Sequence, residues 1–352
     1  MSYFRPTIDA MSGYTPGEQP NDSTIIKLNT NENPYPASAQ VAAVLADTAN
    51  LNRYPNPVAQ EVRVAAAALF DADPETILVG NGSDDVLAII MRAFVDQGGC
   101  MACLDTTYSL YPVLAAIQGA RVHEVPLTES FGLPAYSADL IGDASVFFIT
   151  SPNAPLGNSF DIETVAEWCE NFDGIVVVDE AYADFADANC AGLVERFGNV
   201  IISRTLSKSY SLAGIRVGFA YAQRELIAGM MKVKDSYNVN AMSQACAVAA
   251  LRDQAHMKKN AARVRATRER VSCELRRLGF AVVPSDANFV FAKPPLPAKD
   301  FFDALRDRKL IVRYFPGDVT GAFVRVTIGT DPEMDRFLAA AEAIVIEALS
   351  AD

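Results

Sequence analysis

Lys208 is the only lysine in "ISRTLSKSYSLAGIRVG", residues 202–218, and Arg216 follows it eight positions on. The run 200–202 ahead of it is apolar and β-branched, as in a buried strand. A lysine just past the end of such a strand lies where α/β proteins place their ligands. In a partly dry site a lysine loses its proton readily and attacks carbonyl carbons. Thr205, Ser207 and Arg216 beside it suit an anion. The chemistry is that of an amine acting on a carbonyl compound that carries an anionic group.

Lys208 needs elements to position it. Short apolar runs at 77–79, 101–104, 122–125, 146–149, 175–178, 200–202 and 219–221 alternate with helical stretches. Most are β-branched or aromatic and bounded by Gly, Pro, Asp or Asn. Strands spaced by helices predict a three-layer α/β fold, a mostly parallel sheet with helices on both faces. The carboxyl ends of parallel strands meet at one edge. Asp179 follows one run, with Glu180, Ala181 and Tyr182 behind it. "TSPNAPLG" offers Asn153, and "DTTYSLY" offers Tyr108. "GNGSDD" places Ser83, Asp84 and Asp85 at a helix start, whose free N–H groups suit a phosphate. An amine, an acid, a phosphate cradle and an aromatic ring together suit an aromatic aldehyde phosphate with a basic ring nitrogen. Pyridoxal phosphate is such a compound.

Composition narrows the classes further. The chain has 352 residues, half of them hydrophobic, enough for one large domain and a smaller one. A net charge of −13 argues against nucleic acid or an anionic membrane as partner. No signal segment opens the chain and no apolar stretch reaches a membrane span, so a cytoplasmic protein is expected. Of six cysteines only Cys100 and Cys103 form a CxxC, and on a strand their side chains point to opposite faces. The two histidines, His123 and His256, fit no metal or triad pattern, and no metal site is expected. The glycine turn 80–85 is neither a P-loop nor G-x-G-x-x-G.

Residues 1–36, rich in Pro, Asn, Gly and Thr, read as an extended N-terminal arm. Residues 37–255 read as the large cofactor-binding domain, opened by the Ala-rich helical runs "SAQVAAVLADTA" and "PVAQEVRVAAAALF". Residues 256–352 read as a small α+β domain that the N-terminal segment joins in part. The basic stretch 257–278 reads as one solvated helix face.

In this order and spacing, "LNTNENPYP", "RYP" at 53–55, "GNGSDD", "DEAY" at 179–182, "TLSKSYSLAGIRVG" and "VRVTIGT" carry a resemblance over nearly the whole chain. The sequence resembles the fold-type I pyridoxal-phosphate aminotransferases, and within them the histidinol-phosphate aminotransferases. It departs from the family in Asp85, where Glu is frequent, and in "NAPLG", where "NNPTG" is frequent.

The resemblance implies roles. Lys208 carries the cofactor covalently and later moves the proton, and Asp179 pairs with the ring nitrogen. Tyr182 and Asn153 hydrogen-bond the ring's phenolic oxygen, and Tyr108 stacks on the ring. Arg216, Ser207, Thr205 and the Ser83–Asp84–Asp85 turn hold the phosphate, the acidic pair through backbone N–H. Tyr54 reaches the phosphate of a neighbouring subunit, which implies a homodimer with shared sites. Arg325 binds the substrate's carboxylate or phosphate. Apart from the resemblance, Tyr14 in the arm and Arg313 in "LIVRYFP" are candidates for a second contact, mainly on phosphate, with Asn33 and Asn153 also expected on the substrate side. The implied reaction moves an amino group from histidinol phosphate to 2-oxoglutarate. An aromatic amino donor, decarboxylation of a phosphorylated amino acid such as threonine phosphate, and a non-catalytic binder stay open as alternatives.

Overall fold

The computed structural model describes residues 2–46 and 51–350. The described residues form thirteen strands. β1 (Ile26–Lys27) lies in the N-terminal segment. Seven build the main sheet: β2 (Ile77–Gly80), β3 (Cys100–Leu104), β4 (Arg121–Val125), β5 (Val146–Thr150), β6 (Ile175–Asp179), β7 (Val200–Thr205) and β8 (Gly218–Ala222). Each contains one of the apolar runs. β9 (Ala281–Val282), β10 (Phe289–Lys293), β11 (Leu310–Ile311), β12 (Arg313–Tyr314) and β13 (Val324–Thr327) follow.

The main sheet has the order β2-β8-β7-β6-β5-β3-β4. Pairs among β3 to β7 are parallel, while β8 runs antiparallel to both β2 and β7. Successive side chains alternate between two cores, as the strand period of two requires. Phe147, Ile149, Val176 and Val178 enter one core, with Val62, Trp168 and Leu251 from the helices Gln60–Ala67, Ile162–Asn171 and Ala241–Arg252. Val146, Phe148, Val177 and Ile201 enter the other, with Leu87, Tyr111 and Ile227 from Ser83–Phe94, Leu110–Gln118 and Arg224–Met231. Cys100 lies in the first core and Cys103 in the second, so their sulfurs are on opposite faces.

β7 runs to Thr205, three residues past the apolar run 200–202. The reason is pairing: Ser203, Arg204 and Thr205 sit opposite Ala220, Phe219 and Gly218 of β8. The buried Arg204 is neutralised by Glu180 at 2.6 Å and Asp184 at 3.1 Å.

The basic stretch forms the helix Gln254–Arg277. β12, β13, β10 and β9 form a four-stranded antiparallel sheet. The N-terminal segment holds a short helix, Pro6–Ala10, rather than being extended throughout. β1 pairs in parallel with β11 and ties that segment to the C-terminal part. The run "SAQVAAVLADTA" is helical over Ala39–Leu45, with Ser38 as its N-cap; its residues Asp47, Thr48 and Ala49 lie outside the described residues. Among the described residues no helix is long and apolar enough to cross a membrane.

Candidate active site

β2, β3, β5, β6 and β7 all end at one edge of the sheet, and β8 begins there. Asp179 is the last residue of β6 and 2% exposed. Its Oδ2 accepts the Tyr111 hydroxyl at 3.1 Å and its Oδ1 accepts the Ala181 N–H at 3.2 Å. Burial pushes its pKa up to about 7, the nearby Asp84 charge adds to this, and the Tyr111 hydrogen bond opposes it.

Lys208 stands half-buried on the loop after β7. Its Nζ donates to the Thr30 carbonyl at 3.2 Å and lies 5.8 Å from the Tyr182 ring centre. The loop is clamped from two sides. Asn33 Nδ2 donates to the Lys208 and Ser209 carbonyls at 3.1 and 3.2 Å, and Ser209 Oγ donates to Asp184.

Beside the lysine, Thr205 Oγ1 donates to Ser207 Oγ at 3.0 Å, and Arg216 Nη1 reaches the same Ser207 Oγ at 3.4 Å. Arg216 also pairs with Asp84 at 3.3 Å. Two glycines permit this approach. A Cβ on Gly218 would stand 2.4 Å from the Ser83 amide nitrogen. One on Gly82, whose φ is +90°, would stand 2.5 Å from Arg216 Nη2. A guanidinium, two hydroxyls and the first amides of the helix Ser83–Phe94 therefore surround one small concavity suited to phosphate. Asp85 turns its side chain away, accepting Asn81 N–H and Asn238 Nδ2, both at 2.8 Å, which leaves its backbone as the part facing an anion.

Asn153 is fully buried between two cis X–Pro bonds. Its Nδ2 donates to the Thr106 carbonyl at 2.9 Å and its Oδ1 accepts Thr107 Oγ1 at 3.1 Å. Asn31 Nδ2 donates to the Tyr182 hydroxyl oxygen at 2.9 Å, which leaves the phenol proton of Tyr182 to be given elsewhere. The half-buried Tyr108 donates to Asp84 at 3.2 Å and meets Tyr14 edge to face at 6.0 Å.

Arg325, on β13, has its guanidinium 5.2 Å from the Phe289 ring centre and 5.1 Å from that of Phe315. Nη2 donates to the Asn29 carbonyl at 2.9 Å, and the buried Nε has no partner. Burial pulls its pKa below the usual range, and the Arg313 charge adds to this. A desolvated cation without a carboxylate beside it is a receptor for an external anion.

A model of "Aminotransferase class I and II" matches residues 23–341. The chain belongs to the class I and II aminotransferases. A histidinol-phosphate aminotransferase of Synechocystis sp. is 46% identical to this aminotransferase over 342 residues, 97% of each chain. One of Geobacter sulfurreducens is 45% identical over 348 residues, 97% of this chain and 99% of its own. The crystal structure of the histidinol-phosphate aminotransferase of Sinorhizobium meliloti in complex with pyridoxal-5'-phosphate shares the fold, with a TM-score of 0.89 over 99% of each chain at 23% identity.

In this aminotransferase Asp84, Arg216, Ser207 and Thr205 form one connected group, Tyr108 and Tyr14 adjoin it, and Lys208 faces Tyr182. Arg313 donates to the Thr15 and Pro16 carbonyls at 2.9 and 3.2 Å, which fastens the arm beside Arg325. Asn33 uses its amide donors on the lysine loop. Tyr54 stands apart: it is 82% exposed, stacks on Tyr237 at 4.6 Å and bonds to none of the other candidates. Sequence reasoning missed Asn31 and Tyr111. Asn31, at φ 57°, binds Tyr182 with its side chain and Thr327 and Asn288 through its backbone. Asn tolerates that conformation better than most residues, so the run of asparagines in a Gly-free turn was the available signal.

Proposed function

We propose that this chain transfers the amino group of histidinol phosphate to 2-oxoglutarate, yielding imidazole acetol phosphate and glutamate for histidine biosynthesis, with pyridoxal 5'-phosphate as cofactor. The names and full-length similarity of the relatives support the reaction. The choice of histidinol phosphate as donor rests on those relatives, and the structural observation that supports an anionic donor is Arg325, a desolvated guanidinium with an unpartnered Nε.

The residues present fit the cofactor. The glycine-lined concavity takes the phosphate, through Ser83, Asp84 and Asp85 amides, Thr205, Ser207 and Arg216. Tyr108 offers a ring face, and Tyr182 and Asn153 offer donors to the phenolic oxygen. When bound, the cofactor supplies an aldehyde that condenses with amines and a protonated ring that accepts the electron pair of the broken Cα bond. Lys208 Nζ would hold that aldehyde at rest and, once freed by the donor amine, would act as the base that moves the Cα proton. The Asp179 carboxylate would keep the proton on the ring nitrogen.

The same site must take a phosphate on one donor and carboxylates on the other. Guanidinium geometry fits both bidentately, and Arg325 serves both half-reactions. Tyr14, Asn33 and Arg313 belong to the arm and strand that close over the donor, with Tyr14 acting on phosphate. Arg325→Lys is expected to slow both half-reactions about ten- to a hundred-fold, the worth of a lost charged hydrogen bond. Tyr14→Phe is expected to slow histidinol phosphate more than glutamate. Single-turnover rates with each donor measure this. Equal losses in Tyr14→Phe, or a wild-type preference for phenylalanine or tyrosine, overturn the donor assignment.

The exposed Tyr54 supports a homodimer in which each chain completes the other's phosphate site. Tyr54→Phe is expected to weaken cofactor binding. Hybrids of Lys208→Ala and Tyr54→Phe chains then contain one intact site per dimer. Verified hybrids with no more activity than the Tyr54→Phe protein count against sharing. The division into an arm (1–36), a cofactor domain (37–255) and a small domain (256–352), and a cytoplasmic location, belong to the same proposal.

A further inference from the structure

The hydroxyls behind Asp179 form a chain that the reaction above does not use. Thr150 and Asp179 are register partners at the ends of β5 and β6, so their side chains share a face. The helix Leu110–Gln118 packs on that face and sets Tyr111 over both. The Tyr111 hydroxyl lies 3.1 Å from Asp179 Oδ2 and 2.5 Å from Thr150 Oγ1. Thr107 Oγ1 lies 3.2 Å from Thr150 Oγ1 and 3.1 Å from Asn153 Oδ1.

We propose that Tyr111 is a positioning residue that holds Asp179 ionised, by donating to Oδ2 at the head of a one-directional hydroxyl chain from Thr107 and Thr150. This rests on the reading of Asp179 as the partner of the ring nitrogen. An ionised carboxylate only accepts, so it fixes the direction. Tyr111 gives its proton to Asp179, Thr150 gives its own to the Tyr111 oxygen, and Thr107 turns to Thr150 or Asn153. Each hydroxyl has one proton, and this arrangement leaves both Asp179 oxygens facing a donor.

The need for such a donor follows from the surroundings. From the helix Ser83–Phe94, Asp84 opposes a charge on Asp179, and so does Glu180, the residue just past β6. Arg204 neutralises Glu180 from β7. Tyr108 adds a ring without a charge. Among the described residues only the Tyr111 hydroxyl and the Ala181 N–H donate to the carboxylate. Burial drives the Tyr111 phenol far above its usual pKa, so it remains a donor.

The test is Tyr111→Phe, which keeps the ring stacked on Phe148 at 4.8 Å and removes only the hydroxyl. In the full chain freed of cofactor, the Asp179 carboxyl is titrated by carbon NMR and assigned against Asp179→Asn. A midpoint near 7 is expected in wild type. In Tyr111→Phe it is expected to rise by about one pH unit or more, because the lost bond favoured the charged form. Thr150→Val is expected to raise it less. In the loaded enzyme kcat is expected to fall about tenfold to a hundredfold with the donor KM unchanged. A folded Tyr111→Phe with the wild-type midpoint overturns the proposal. If that variant does not fold, Thr150→Val decides: an unchanged midpoint overturns and a raised one supports. Failure of the cofactor reading is separate. It shows as wild-type chain that gains no lysine-bound absorbance with pyridoxal phosphate, while the carboxyl titration still reads Tyr111.

Discussion

Lys208→Ala is expected to abolish covalent cofactor attachment and transamination while leaving the fold intact. Both halves follow from where Lys208 sits. Its side chain makes one hydrogen bond, to the Thr30 carbonyl, and is half-buried. The loop around it is held by other groups: Asn33 on two carbonyls, Ser209 on Asp184, and the pairing of β7 with β8. Removing the amine should therefore change unfolding free energy by less than about 1 kcal/mol. The chemistry loses two things at once. A positioned general base contributes about 10²- to 10⁴-fold, and the covalent anchor is lost besides. The two measurements are steady-state turnover with donor and 2-oxo acid, and urea unfolding. Turnover near wild type in a folded variant removes the central claim. A collapsed fold would show instead that Thr30 and Lys208 hold the arm to the sheet.

Most of the sheet was legible because its strands, the edge strand β4 excepted, are buried on both faces. Runs such as 146–149 and 175–178 carry β-branched and aromatic residues with almost no polar interruption, and the residue after each falls at the functional edge. Asp179 comes directly after its run, and Asn153 and Lys208 lie on the loops that follow theirs. Where burial involves polar residues, the rule stops. Ser203, Arg204 and Thr205 looked like the end of a strand, yet they continue it, because Glu180 and Asp184 accept the guanidinium and β8 supplies the backbone partners. Contacts between distant segments were invisible for a different reason. Asn31 and Tyr182 are 151 positions apart, and Tyr111 and Asp179 are 68 apart. No local pattern joins them. Tyr111 reads as one more apolar position of its helix until Thr150 and Asp179 are seen side by side. The asparagines of "NTNENPYP" were visible as a cluster but not in their separate duties, Asn31 on a phenol and Asn33 on the lysine loop.

Asp179→Asn is expected to keep the fold and lose about 10²- to 10³-fold in turnover or more, the scale on which a buried site depends on one oriented charge. The amide has nearly the shape of the carboxylate but presents one oxygen where the carboxylate presents two. Tyr111 and Ala181 both donate toward this side chain, so one of them must face an N–H in the variant. The neutral group also no longer stabilises a proton on the ring nitrogen, and the ring stops drawing electrons from Cα. Stability should move the other way. In the chain freed of cofactor, burial raises the Asp179 pKa to about 7, above the unfolded value of about 3.9. Between those pH values the folded state binds more protons than the unfolded one, so this group's contribution to stability falls as pH rises through the window. Below about pH 4 it is protonated in both states and carries no penalty; above about pH 7 the penalty is complete. Asparagine lacks this dependence. Urea unfolding of cofactor-free chains should thus show the variant gaining on wild type from pH 4 to pH 8, while its turnover stays low at every pH. Full turnover would mean that another group protonates the ring nitrogen. A stability difference independent of pH would mean that Asp179 is not the buried, functionally retained charge described here.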